Sequence, residues 1–377
     1  MRIHLSKADI SDVEEQFVLD ALRSGWVAPL GPHVESFEAE IAQRCGVAGA
    51  LALSSGTAAL HLALLEVGAQ RGTAVVVPTM TFAASANAVV YTGASPVFVD
   101  ALAEDGNVSP ELLMTAVNTL QAEGIPVAAV MTVDLFGRCV DYPSLVDVLA
   151  DHGIPLIEDA AEALGAAKGG KPAGSFGRAA ALSFNGNKIM TTSGGGMLLS
   201  DDLTLLARAR YLATQARQPV PHYEHTEIGY NYRLSNLLAA LGRAQLSRLD
   251  AMISRRREIR AQYVLGLSDI PGLRFLGRTG MGSDREDNCW LTCLTLDPTR
   301  CPISVDTVIK SLDEEDIEAR HLWKPMHMQP VFSGARAFID GTAEHLFSTG
   351  LTLPSGSALS DEEVSTVIDA VRAALGF

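Results

Sequence analysis

The chain has 377 residues, 47% hydrophobic and 19% charged, with a formal net charge of −15. That balance excludes a disordered chain and allows a core large enough for two domains. The negative charge argues against nucleic acid as the main partner, because a phosphate backbone needs a basic face.

The start, MRIHLSKADI, has no long apolar run after its basic residues, so no secretory leader is expected. The most apolar stretches, Ala74–Pro78 and Pro126–Val133, are far too short to span a membrane and read as buried strands. A cytoplasmic protein is therefore expected. The 5 cysteines are odd in number, and none has CxxC spacing. Reduced thiols are expected, with no disulfide framework and no metal site.

Asp9–Ser24 has helical spacing, and Pro32–Cys45 repeats it with Val34, Phe37, Ile41 and Ala42 on one face. Ala48–Leu53 reads as a strand and Thr57–Gly68 as a helix. Strand Ala74–Val77, helix Ala83–Thr92 and strand Pro96–Val99 follow. Helix Ser109–Glu123, strand Val127–Val133, helix Tyr142–His152 and strand Pro155–Glu158 continue the alternation. Such a βαβα series predicts an α/β fold with a largely parallel sheet covered by helices on both faces. Near residue 234 the pattern changes. Leu234–Gly266 reads as one long helix or two broken ones. Strands at Leu273–Leu276 and Cys289–Leu296 and helices Ser304–Glu314 and Asp361–Leu375 then suggest a smaller α+β unit. The boundary is placed at 245, giving domains 1–245 and 246–377.

In parallel sheets, ligands bind beyond the carboxyl ends of the strands. Three segments stand at such ends. Ser54-Ser55-Gly56-Thr57-Ala58 turns from strand into helix, where free N–H groups and hydroxyls suit a phosphate. An ordinary Ser or Thr cap has the same pattern. Glu158-Asp159-Ala160-Ala161-Glu162 stands at the end of the strand that begins at Pro155. A carboxylate there could pair with a protonated pyridine nitrogen, or simply face a helix dipole. Finally, Lys188 lies between the apolar run ending SerPheAsn and the loop Thr191-Thr192-Ser193-Gly194-Gly195-Gly196. A lysine held there could be desolvated enough to form an imine, or could be a surface lysine beside a flexible loop. The triple glycine lacks the spacing of a Rossmann or Walker loop. The order of the three is more telling than any one: phosphate turn, acid after a strand, lysine after a later strand.

The chain resembles the DegT/StrS-type sugar aminotransferases nearly end to end. The likeness rests on SGWVAPLGPHVESFE, SSGTAALHLAL, PTMTFAASANAVVYTGASPVFVD, IEDAAEALGA, SFNGNKIMTTSGGGML, IGYNYRLSNLLAALGRAQL, LWKPMHMQPVF and LPSGSALS. WVAPLGP, SFNGNK and LWKPMH are nearest the branch that makes the 4-amino group of bacillosamine-type sugars from UDP-linked 4-keto-6-deoxy-N-acetylhexosamine. The resemblance implies the aspartate-aminotransferase-like fold type I: a large domain with a mostly parallel mixed sheet and a smaller C-terminal α+β domain. It implies pyridoxal 5'-phosphate held as a Schiff base on Lys188, with Asp159 on the pyridine nitrogen and Glu162 near the ring oxygen. Phe82 would stack on the ring, and Gly56, Thr57 and Ser183 would bind the phosphate. Asn231 would reach the phosphate of a neighbouring subunit, so the expected form is a homodimer with shared active sites.

The expected substrates are a nucleotide-linked keto sugar and an amino-acid donor, L-glutamate, exchanged by a ping-pong mechanism. Trp26, Trp323, Lys324 and His327 are candidates for the sugar side; Trp323 and His327 could equally pack a domain interface. His321 stands where close relatives tend to have proline, and Ala101–Asn107 lacks their usual threonine-bearing form. Other keto positions, a cyclitol ketone and a non-catalytic regulator of the same fold are the competing readings. Relatives that act as dehydratases carry histidine in place of the lysine, so Lys188 argues for amino transfer.

Overall fold

The computed structural model describes residues 2–278, 282 and 284–377. Its centre is an eight-stranded sheet. The strand order is Gly49–Leu53, Gly196–Ser200, Ala179–Ser183, Leu156–Asp159, Val127–Val133, Ala74–Pro78, Ser95–Val99 and Ala337–Phe338. The last six run parallel, while Gly196–Ser200 is antiparallel to both of its neighbours. The sheet is thus mixed and mostly parallel, as expected.

Alternation along each strand feeds two cores. Ala50 and Ala52 face one side, Leu51 and Leu53 the other; Val76 and Val130 face the first, Val75, Val77 and Met131 the second. Because both faces are buried, the strands read as unbroken apolar runs. Helices Pro32–Cys45 and Pro110–Ala122 and the first half of Asn236–Leu267 cover one face. Helices Gly56–Glu66, Ala83–Thr92 and Leu203–Ala213 cover the other.

A second sheet of four antiparallel strands has the order Leu273–Phe275, Thr292–Leu296, Gly350–Leu353, Arg320–His321. Helices Val305–Glu314 and Asp361–Leu375 pack on it. Its core also takes Ile259, Tyr263 and Leu267 from the end of the long helix, and Ile3 from the start of the chain.

Several elements differ from expectation. The Arg- and Leu-rich segment is a single helix of 32 residues, Asn236–Leu267, and residue 245 lies inside it. The expected helix Tyr142–His152 is broken into a 3-10 turn at Tyr142–Ser144 and a short helix Val146–Asp151. Leu145, with φ stretched to −114°, separates the two: its N–H closes the first turn on the Tyr142 carbonyl at 2.9 Å. The expected strand Cys289–Leu296 starts only at Thr292, because Cys289 adopts φ 53° and turns the chain away from extended pairing. Strands Gly196–Ser200, Ala337–Phe338 and Gly350–Leu353 and helices Leu203–Ala213 and Thr342–Thr349 were not anticipated. Among the described residues, no helix is long and apolar enough to cross a membrane.

Candidate active site

A cavity of about 270 Å³ opens at the carboxyl ends of the parallel strands. Gly56, Thr57, Phe82, Asp159, Glu162, Ser183, Lys188 and Trp323 all line it. The three separate segments of the sequence therefore meet in one place.

The turn after Gly49–Leu53 is shaped by two glycines. Ser55 caps helix Gly56–Glu66 by accepting the Ala58 N–H at 3.0 Å, which leaves the amides of Gly56 and Thr57 to the cavity. Gly196 runs directly beneath this turn: a Cβ there would lie 2.3 Å from the Ser55 carbonyl carbon and 2.4 Å from Gly56 N. Gly56 in turn abuts Ser183, whose Cβ would be 3.1 Å from an added Cβ. The backbone can approach this closely only without side chains.

Asp159 ends its strand fully inside the protein. Oδ2 accepts the Ser85 hydroxyl at 2.6 Å and Oδ1 accepts the Ala161 N–H at 3.2 Å. Burial pushes this carboxyl above its ordinary value, against the pull of Ser85, Ala161 and the Lys188 charge. Glu162 is raised by burial as well, with Lys188 and the Phe136 N–H opposing. Lys188 Nζ stands 3.6 Å from Glu162 Oε1 and 4.1 Å above the Trp290 ring. Its side chain is only 11% exposed, so this is not a surface lysine.

The aromatic wall is continuous. Trp323 meets Phe82 edge to face at 5.6 Å, stacks on Phe136 at 5.9 Å and approaches Trp290 at 6.4 Å. Phe82, which lines the cavity, is 56% exposed.

Other candidates lie outside this cavity. Trp26 is 48% exposed, and its carbonyl accepts Asn236 Nδ2 at 2.8 Å. Asn231 is exposed and accepts Gln215 Nε2 at 3.0 Å. His327 is held by Thr79 at 2.7 Å and Glu344 at 3.0 Å. Lys324 is half-buried, and its carbonyl accepts Gln329 Nε2 at 3.4 Å. Conversely, Trp290, Ser85 and Phe136 were missed. Trp290 sits in NCWLTC, a motif that draws the eye to its cysteines; its indole N–H donates to the Asn187 carbonyl at 2.7 Å and fixes the ring below Lys188.

Fold and site define a fold type I aminotransferase. The model of the DegT/DnrJ/EryC1/StrS aminotransferase family matches residues 8–372, and the chain belongs to that family of sugar aminotransferases. It is 44% identical to EpsN of Bacillus subtilis (strain 168), named as a pyridoxal phosphate-dependent aminotransferase, over 98% of this chain and 94% of that one. It is 34% identical to a GDP-perosamine synthase of Vibrio cholerae over 95% of each chain. The crystal structure of DesI in the presence of its TDP-sugar product shares the fold at TM-score 0.88 and 31% identity, over 100% of this chain and 93% of that one.

The protein is thus a pyridoxal-phosphate-dependent aminotransferase, and the residues present fit the cofactor. The glycine-built turn leaves amides for a phosphate. The buried Asp159 carboxyl, on which Lys188 is the one cation acting among the described residues, suits a protonated ring nitrogen. An exposed phenylalanine offers a face to an aromatic ring, and the lysine is within the same cavity.

Proposed function

We propose that the protein transfers an amino group from an amino acid, L-glutamate by preference, to the C4 keto group of a nucleotide-linked 4-keto-6-deoxy sugar. The observation that carries this reading is the buried Lys188 Nζ, 3.6 Å from Glu162 in the cavity that Asp159 also lines. Pyridoxal phosphate, when bound, supplies a carbonyl for amines and a cationic ring that withdraws electrons.

The chain's residues do the rest. Gly56, Thr57 and Ser183 bind the phosphate, and Phe82 covers the ring face. Asp159 keeps the ring nitrogen protonated, its charge steadied by Ser85. Lys188 would anchor the cofactor, and its free amine would take the proton from the donor's α-carbon. Using one site for donor and acceptor in turn gives ping-pong kinetics.

On the sugar side, Trp323 already belongs to the cavity wall. Trp26, Lys324 and His327 complete the pocket in this reading, with Lys324 meeting the diphosphate. Asn231, exposed and away from the cavity of its own chain, serves the phosphate site of a second copy, so the working form is a cytoplasmic homodimer. The names of the relatives, GDP-perosamine synthase and DesI with its TDP-sugar product, support a nucleotide-linked substrate. A large cofactor domain through 245 and a small domain from 246 form part of this reading, joined through the long helix.

The test is amination of UDP-, GDP- and dTDP-linked 4-keto-6-deoxy sugars, assayed side by side with glutamate. Turnover of one with conversion of glutamate to its keto acid is expected. No turnover of any would remove the nucleotide-sugar reading and favour another keto position or a cyclitol ketone.

A further inference from the structure

Phe136 holds a backbone conformation that its side chain disfavours. Its φ of 56° and ψ of 17° are left-handed, a region that bulky residues rarely enter. Such strain persists where the surroundings over-determine the backbone, and at functional sites it is often part of the mechanism. Here each neighbour is pinned. The Asp134 N–H donates to the Asp159 carbonyl at 3.0 Å, and Asp134 Oδ1 accepts the Val140 N–H at 2.9 Å and the Tyr142 hydroxyl at 2.8 Å. The Leu135 N–H donates to Asn107 Oδ1 at 3.1 Å. The Gly137 carbonyl accepts the Asn288 N–H at 3.1 Å, and Gly137 (φ 97°) has Asn288 packed where a Cβ would go.

What this arrangement delivers to the cavity is one N–H. The Phe136 amide donates to Glu162 Oε2 at 2.7 Å, which leaves Oε1 turned to Lys188 Nζ at 3.6 Å. The titratable groups that reach Glu162 are Lys188, Asp159 and, from the strand Thr292–Leu296, Cys293. Asp159 is engaged by Ser85 and Ala161, and Lys188 is the one cation among the three. The carboxylate is therefore oriented by a fixed backbone donor on one oxygen and offered to the lysine with the other.

We propose that Glu162, aimed by the Phe136 N–H, is the counter-charge that keeps the Lys188 nitrogen protonated when the cofactor is on it, with Phe136 as its positioning residue. This rests on the cofactor-lysine role proposed above. A carboxylate within this distance stabilises the protonated nitrogen and raises the pH at which the proton is lost.

The experiment follows the visible absorption of the holoenzyme against pH, since the band changes when that nitrogen loses its proton. E162Q keeps an oxygen for the Phe136 N–H and removes only the charge. Its spectral midpoint should fall below that of the wild type by about 1–3 pH units. E162D, which keeps the charge but withdraws it from Nζ, should fall between the two. A merely structural role would lower the melting temperature and leave the midpoint in place. A wild-type midpoint in E162Q overturns the proposal. Should E162Q fail to fold or to retain the cofactor, a wild-type midpoint in E162D overturns it equally. A K188A holoenzyme that keeps the wild-type band would instead sink the underlying lysine assignment, an outcome distinct from either.

Discussion

Ser85 Oγ donates a 2.6 Å hydrogen bond to Asp159 Oδ2, joining the first turn of a helix to the end of a strand, with both residues buried. Thr81 Oγ1 lies 2.7 Å from the same hydroxyl and extends the link. Burial pushes the Asp159 carboxyl up, and Ser85 is the first of the groups that oppose this and favour its ionised form. Ser85→Ala should weaken cofactor retention by roughly tenfold or more, the size of one hydrogen bond to a charged group. Spectroscopic titration of the apoenzyme with pyridoxal phosphate measures this, and unchanged affinity would refute the role given to Ser85.

Lys188→Ala should abolish the lysine-dependent visible band and slow amino transfer by about 10²–10⁴-fold or more, because the chain then lacks its proton-moving amine. Single-turnover assays with added methylamine provide the second readout. A variant that keeps both the band and the rate would show that another group holds the cofactor.

Gly196 and Gly194 form a matched pair. A methyl at Gly196 would run into the backbone of Ser55 and Gly56, whereas one at Gly194 meets nothing within 4 Å. Gly196→Ala should lose about 1–3 kcal/mol of stability and weaken phosphate binding, while Gly194→Ala leaves the melting temperature nearly unchanged. Equal behaviour of the two in thermal melts would contradict the close approach described.

Glu14 gives the pH prediction. Its side chain is 1% exposed and accepts bonds from Ser11, Gln245 and Arg248. Burial raises its carboxyl, but the Ser11 hydroxyl and the Arg248 guanidinium outweigh it and bring it down to about 2. A lowered carboxyl stabilises the fold above its unfolded value of 4.5, and that contribution is lost as the pH falls toward 2. Glu14→Gln should therefore be less stable than the wild type by at most about 3 kcal/mol at pH 7, with the gap closing between pH 4.5 and 2. Urea unfolding at several pH values tests this; a gap independent of pH would rule it out.

The site was legible where it follows from local order. Ser55-Gly56-Thr57, Asp159 and Lys188 each come after an apolar run, and a parallel sheet gathers such positions at one end. The wall around them was not legible. Trp290 lies 102 positions from Lys188 and reaches it only through the fold of the second sheet. Phe136 looks like an ordinary core residue, since nothing in DLFG announces a left-handed backbone. Ala337–Phe338 is a two-residue strand at the sheet edge, too short to carry a periodic pattern, and its place is set by pairing with Phe98 and Val99. Cys289–Leu296 is apolar throughout, so pattern could not reveal that its first residues turn away.

The helix Asn236–Leu267 puts Ala239, Leu249 and Ile253 into the core beneath the large sheet and Ile259, Tyr263 and Leu267 into the core of the small one. It is a shared axle rather than a linker. Neither core can dissolve without stripping one end of it, so the chain should melt in a single cooperative step, and a cut at residue 245 would leave two halves that each expose an unpaired seam.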